Sequence, residues 1–229
     1  MENLAPAGNR EALERADAAG ADAVYLGYAA FSARAGAGNF DRQELEEAIR
    51  YAHLRHMRVH VTVNTLVKDA ELADVTEVLR LLRDLRADAV LVQDLGVLKI
   101  CREEFPRLPV HASTQMALHN ASGVRLLKEL GAKRAVMARE CDLDEIRKAA
   151  AVGLEIEAFC HGALCVSCSG EYFHFRVSLR GFLHPFAVFR RDQHIGLSMN
   201  KKDGDLIFFQ AVNGPHILQP PSCPDLRPN

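Results

Sequence analysis

Three segments of this sequence share one form: GADAVYLG at 20–27, RADAVLVQ at 86–93 and GAKRAVMA at 131–138. Each places a small or polar turn before a short apolar run, which is the joint between a helix and a buried parallel strand. Four further runs fit the same scheme. Candidate strands therefore fall at Leu4–Ala7, Ala23–Leu26, Arg58–Asn64, Ala89–Gln93, Val110–Ser113, Ala135–Ala138 and Leu154–Phe159. Their starts lie about 20 to 36 residues apart, which suits strand–helix–strand crossovers. Helical periodicity fills the intervals. Arg42–His56 puts Leu45, Ala48, Ile49 and Ala52 on one face, Leu72–Leu85 repeats Leu and Val at helical spacing, and Asp144–Ala151 is a shorter version. Repetition of one βα unit favours a TIM-type (β/α) barrel over a doubly wound sheet. No GxGxxG follows the first strand, which argues against dinucleotide binding.

Seven units can be counted, and then the pattern breaks. From Tyr172 onward lie seven of the eleven Phe residues and six of the nine prolines, without helical periodicity. The sequence thus divides into a barrel over 1–171, apparently incomplete, and a divergent, irregular tail over 172–229 with the composition of disorder or loose packing.

At 229 residues and 48% hydrophobic, the chain can bury a substantial core. The formal net charge of −2 supplies no bulk attraction to nucleic acid or anionic membrane. The barrel segment is net acidic and the tail net basic and aromatic, so any RNA contact falls to local arginines or to the tail. No run of 18 apolar residues marks a membrane span, and the N-terminus lacks the basic and apolar regions of a secretory signal. A cytoplasmic protein with reduced thiols is the expectation.

In a barrel, functional groups gather at the C-terminal ends of the strands. Those ends here carry Asn9, Arg34 and Asn39, Asn64, Gln93-Asp94, Ser113-Thr114-Gln115, Arg139-Glu140, and His161. Together they predict a small-molecule or nucleotide pocket, with Asn9, Arg34, Asn39, Asn64, Gln115 and Arg139 as substrate-binding candidates. Glu140 is positioned to act as a general acid or base; pairing with Arg139 and helix capping are its structural alternatives. His161 reads equally as a ligand, a proton carrier or a core residue. His53, His56 and His60 lack an acidic partner that would complete a metal motif and read as a solvated face. Cys101 and Cys141 read as structural thiols.

The segment EAFCHGALCVSCSG at 157–170 holds Cys160, Cys165 and Cys168 within nine residues, with His161 among them. Its C-x4-C-x2-C spacing occurs in one class of iron–sulfur ligand loop, and soft thiolates suit such clusters or zinc. A buried, reduced strand end is the structural alternative. No GxSxG, HExxH or Walker loop is present.

LAPAGN at 4–9, GADAVYLG at 20–27, AGNF at 37–40, VTVNTL at 61–66, HASTQM at 111–116, ARE at 138–140 and HGALCVSCSG at 161–170 together resemble the U32 peptidases, the collagenase-like proteases. The resemblance covers about residues 3–171, with the motifs in order at strand ends. It implies a TIM-like barrel. It also implies one of two activities. One is proteolysis of collagen-like peptides. The other is the oxygen-independent hydroxylation that some members of the family resemble, acting on tRNA, rRNA or a quinone precursor. Such members hold a four-iron (4Fe-4S) cluster on four cysteines and take oxygen from prephenate.

Residue by residue, Cys165 matches the first cluster cysteine of the family. Tyr172 stands where the next cysteine is expected, and VSLRGFLHPFAVFRR contains none. Cys223 lies roughly where a fourth ligand falls, and Cys160 and Cys168 are near enough to substitute. Read as a protease, the chain offers Cys165 beside His161 as its nucleophile and base. The abrupt change at 172 also admits a truncated or frame-altered product, an inactive barrel lacking the eighth strand.

Overall fold

The computed structural model describes residues 2–33 and 39–160, together with the backbone of 206–209. The strands are β1 (Asn3–Pro6), β2 (Ala23–Gly27), β3 (Arg58–Val63), β4 (Ala89–Val92), β5 (Val110–Ala112), β6 (Arg134–Val136), β7 (Glu155–Phe159) and β8 (Leu206–Phe209). The helices are α1 (Arg10–Ala18), α2 (Arg42–His53), α3 (Leu72–Asp84), α4 (Leu95–Glu104), α5 (Ala121–Glu129) and α6 (Leu143–Ala150). All seven strands expected from the sequence are present, each in parallel register with the next. β8 comes from the segment beyond 171. It pairs in parallel with β7 and with β1, and the ring is a closed barrel. The rest of the tail, and the boundary at 171/172, lie outside the described residues.

Strand alternation explains how the ring is packed. On β3, Val59, Val61 and Val63 join the apolar layer under the helices, while Arg58, His60 and Thr62 alternate with them toward the barrel interior. The helices cover the outside with the faces their periodicity dictates. Leu45, Ala48, Ile49 and Ala52 of α2 and Val75, Val78, Leu79 and Leu82 of α3 are buried. Each large aliphatic side chain so buried contributes about 1.5–3 kcal/mol.

Polar residues set the helix starts. Asp41 and Asp142 form reciprocal capping boxes with Glu44 and Glu145. Asn9, Asp94 and Asn120 cap α1, α4 and α5. α2 ends three residues before the expected His56, which has a left-handed φ of 59° in the turn into β3.

Candidate functional site at the barrel mouth

The loops after the strands are tied to one another at the mouth by side chain to backbone bonds. Asn64 Oδ1 accepts from the Ala33 amide at 3.0 Å, and Asp94 Oδ2 accepts from the Val67 amide at 3.3 Å. The Thr114 hydroxyl donates to the Met137 carbonyl at 3.3 Å, and the Ser32 and Thr62 hydroxyls lie 3.0 Å apart. Three of these bonds join the loops after neighbouring strands, β2 with β3, β3 with β4 and β5 with β6, and the Ser32–Thr62 contact ties the β2 loop to β3 itself by side chains. Gly27 at the end of β2 leaves room for this. A Cβ there would overlap Asn39 Oδ1 and Ser32 Oγ.

The structure divides the sequence-predicted residues into groups. Asn9 and Asn39 line one groove of about 760 Å³ with Arg10, Glu44, Arg50 and Tyr51. Asn9 Oδ1 is already engaged by the Ala12 amide at 2.8 Å, as the cap of α1. Gln115 lies in a short 3₁₀ turn, Thr114–Met116, and its buried Oε1 has no hydrogen-bond partner. The Arg139 guanidinium stacks 4.3 Å from the centroid of the Phe159 ring, and Glu140 Oε2 lies 3.6 Å from His119 Nε2. Cys160 is exposed just after β7, where desolvation pushes its thiol up. Arg34, His161, Cys165, Cys168 and Cys223 lie outside the described residues. Of the candidate cluster cysteines, Cys160 alone lies among the described residues. Cys101 is buried on α4 and burial pushes its thiol up to about 12, in keeping with a structural role.

A second polar centre lies inside the barrel, and here the expectation of a solvated His60 is corrected. His60, His111 and Glu157 are 1%, 4% and 0% exposed, and their ligand atoms all lie within 4.8 Å of one another. The barrel register explains the convergence. From Leu4, successive steps of two strands around the ring and two residues along it reach His60, then His111, then Glu157, and return to Leu4. These four come from alternate strands and form one interior layer. Tyr25, Leu91 and Val136 stand in the layer toward the mouth; Ala23, Ala89 and Arg134 stand in the layer below. Arg134, 1% exposed, donates to Glu2 at 2.7 Å, Glu155 at 3.0 Å and Glu157 at 3.2 Å, and Glu2 also pairs with Arg58 at 2.9 Å.

The titration of this centre follows from its burial. Desolvation lowers His60 to about 3, assisted by Arg134 and Arg58, and holds His111 well below the usual imidazole range. Burial pushes the Glu157 carboxyl up to about 8 against the opposing pull of Arg134. The signal for these residues was period-two alternation: RVHVTV and EIEAF place polar side chains on every second position of an otherwise apolar strand. His53, by contrast, is partly exposed and bonds Asp88 at 2.9 Å, as a surface histidine would.

Comparison with known proteins adds the family. The Peptidase family U32 model matches residues 8–178. An uncharacterized protease of Methanocaldococcus jannaschii is 40% identical over 76% of this chain and 43% of its own length. The tRNA hydroxylation protein P1 of Bacillus subtilis is 38% identical over 74% of this chain and 40% of its own. A 23S rRNA 5-hydroxycytidine synthase of Escherichia coli is 37% identical over 75% and 26%. This chain thus spans less than half the length of these curated relatives. The solved structure of the U32 peptidase Mk0906 shares the fold, with a TM-score of 0.65 at 15% identity, covering 96% of this chain and 94% of that one. No described helix is long and apolar enough to cross a membrane. With the family model, the relatives and the barrel in agreement, the chain belongs to peptidase family U32.

Proposed function

We propose that this chain is the barrel portion of an RNA-modifying protein that hydroxylates tRNA or rRNA at its C-terminal mouth. The observation that carries this reading is the 38% identity to a tRNA hydroxylation protein across three quarters of the chain. The mouth supplies suitable chemistry. The Arg139–Phe159 pair offers a cationic and aromatic platform for a base, and the unpartnered Gln115 carbonyl can accept from an exocyclic amine or ring N–H. Glu140, 3.6 Å from His119, is the described carboxylate placed to hold or pass a proton there. Cys165 would hold a 4Fe-4S cluster, with Cys160, Cys168 and Cys223 as the other candidate thiolates. Such a cluster supplies one-electron chemistry when bound. Prephenate is the proposed oxygen donor, and the proposed location is the cytoplasm.

The test is to incubate anaerobically purified protein with tRNA and rRNA plus prephenate, digest the RNA to nucleosides, and look by mass spectrometry for the gain of one oxygen. Iron and acid-labile sulfide are measured on the same preparation. A modified nucleoside that disappears with Arg139→Ala supports the reading. Unmodified RNA alongside gelatin cleavage by iron-free protein would replace it with proteolysis.

A further inference from the structure

The interior layer asks for a ligand that the mouth does not. His60 Nδ1, His111 Nδ1 and Glu157 Oε1 are all buried, and none has a hydrogen-bond partner. An unpaired buried polar atom costs about 1–3 kcal/mol, and these three residues each carry one while bringing a ligand atom within 4.8 Å of the others, an arrangement that a bound ion would relieve. The two imidazole rings are edge to face, 4.8 Å between centroids, and do not bond each other. Glu157 is oriented by Arg134, whose Nη1 donates to Oε2 and leaves Oε1 unbonded. Orientation of a ligating carboxylate by an outer hydrogen bond is a common feature of metal centres. The fourth member of the layer, Leu4, is fully buried and offers no competing donor.

We propose that His60, His111 and Glu157 form a three-ligand site for a divalent first-row transition-metal ion inside the barrel. Two imidazoles and one carboxylate are borderline donors that suit zinc, iron(II) or cobalt(II), with open positions left for water or a small ligand. Charge permits it. Arg58, half exposed, and Arg134 are balanced by Glu2 and Glu155, and Glu157 ionises on taking the ion, so a dication does not enter a net positive enclosure. Size permits it as well. The 4.8 Å span is wider than ligands on bonds of about 2.1 Å require, so binding draws the three side chains together by about 1 Å. The site is built on strands β3, β5 and β7 and contains no thiolate. It therefore differs in ligand chemistry from any cluster on the cysteine segment.

Cobalt(II) is the probe. The whole chain is stripped with EDTA, its accessible thiols are alkylated in the native state, and cobalt(II) is added. The expected result is one equivalent bound, visible d–d bands without a sulfur charge-transfer band, and a raised melting temperature. His111→Gln and Glu157→Gln each remove that equivalent. X-ray absorption on the unsubstituted protein shows imidazole and oxygen scattering, and this holds the question open to test even where a variant does not fold. Folded protein that takes up no cobalt, binding unchanged in His111→Gln, or a sulfur-dominated first shell overturns the proposal.

Discussion

The two polar regions of this barrel use their side chains in opposite ways. At the mouth, side chains bond the backbone of a neighbouring loop, as Asn64 does with Ala33 and Thr114 with Met137. Around Arg134, charged side chains bond one another across strands, almost fully shielded from water. The first pattern fixes the loops that carry the proposed recognition groups Gln115 and Arg139. The second makes each charge depend on the others, because a buried ion without its partner is costly. Change at the mouth should therefore be tolerated by the fold and felt in function, whereas change in the interior should be felt first in stability.

The sharpest way to break this contrast is Arg134→Met. It leaves Glu2, Glu155 and Glu157 without their shared cation and should cost about 3–5 kcal/mol, read from the denaturant midpoint. A loss below about 1 kcal/mol would mean that the interior tolerates substitution as the rim does.

The next effect is on pH, measured with chelator present. His60 and His111 bind protons more readily unfolded than folded, so their contribution to stability is present above the unfolded value near 6.5 and is lost as pH falls. Glu157 runs the other way: its folded carboxyl titrates near 8 against an unfolded value of 4.5, so stability is lost as pH rises through that window. Between 4.5 and 6.5 the two histidines outweigh the one carboxyl, and between 6.5 and 8 the carboxyl acts alone. The interior contribution should peak near pH 6.5, falling by about 1.4 kcal/mol per pH unit on either side. Urea unfolding of Glu157→Gln should lose the alkaline limb and keep the acidic one.

Smaller effects belong to the rim. Asn9→Ala removes the side-chain cap of α1 and should cost about 1 kcal/mol, seen as a modest drop in melting temperature. Arg139→Lys should weaken the stack on Phe159 by about 0.5–1 kcal/mol at most, while lowering RNA binding in a filter assay by more than that loss of stability accounts for. An RNA-binding loss no greater than the stability loss would reduce Arg139 to a packing residue.

The barrel was legible because its βα units are local. Each apolar run, turn and amphipathic helix announces itself within about 20 residues, and the rim residues follow from strand ends. β8 was not, because LIFF at 206–209 stands in a stretch with no helical period to frame it. The interior layer escaped for a different reason. His60 and His111 are brought together by the shear of the ring, a relation between strands that no single strand displays. Judging His60 by its sequence neighbours His53 and His56 suggested water, whereas the alternation within β3 points inward. The cysteine segment beyond 160 was the strongest chemical signal in the sequence and lies outside the described residues.

The position of β8 has a consequence for how the ring assembles. Its partners along the chain are unlike those of any other strand: Leu4 pairs with Phe209, across nearly the whole length of the chain, whereas every other joint links consecutive strands. Loop-closure entropy grows only slowly with length, so the cost at equilibrium is modest, but high contact order slows folding. During synthesis, β1 and β7 must wait with open hydrogen-bonding edges until residue 209 has emerged. An unpaired edge recruits other strands. The interval before closure is thus the time at which the nascent chain is most prone to pair with a neighbour instead of with itself.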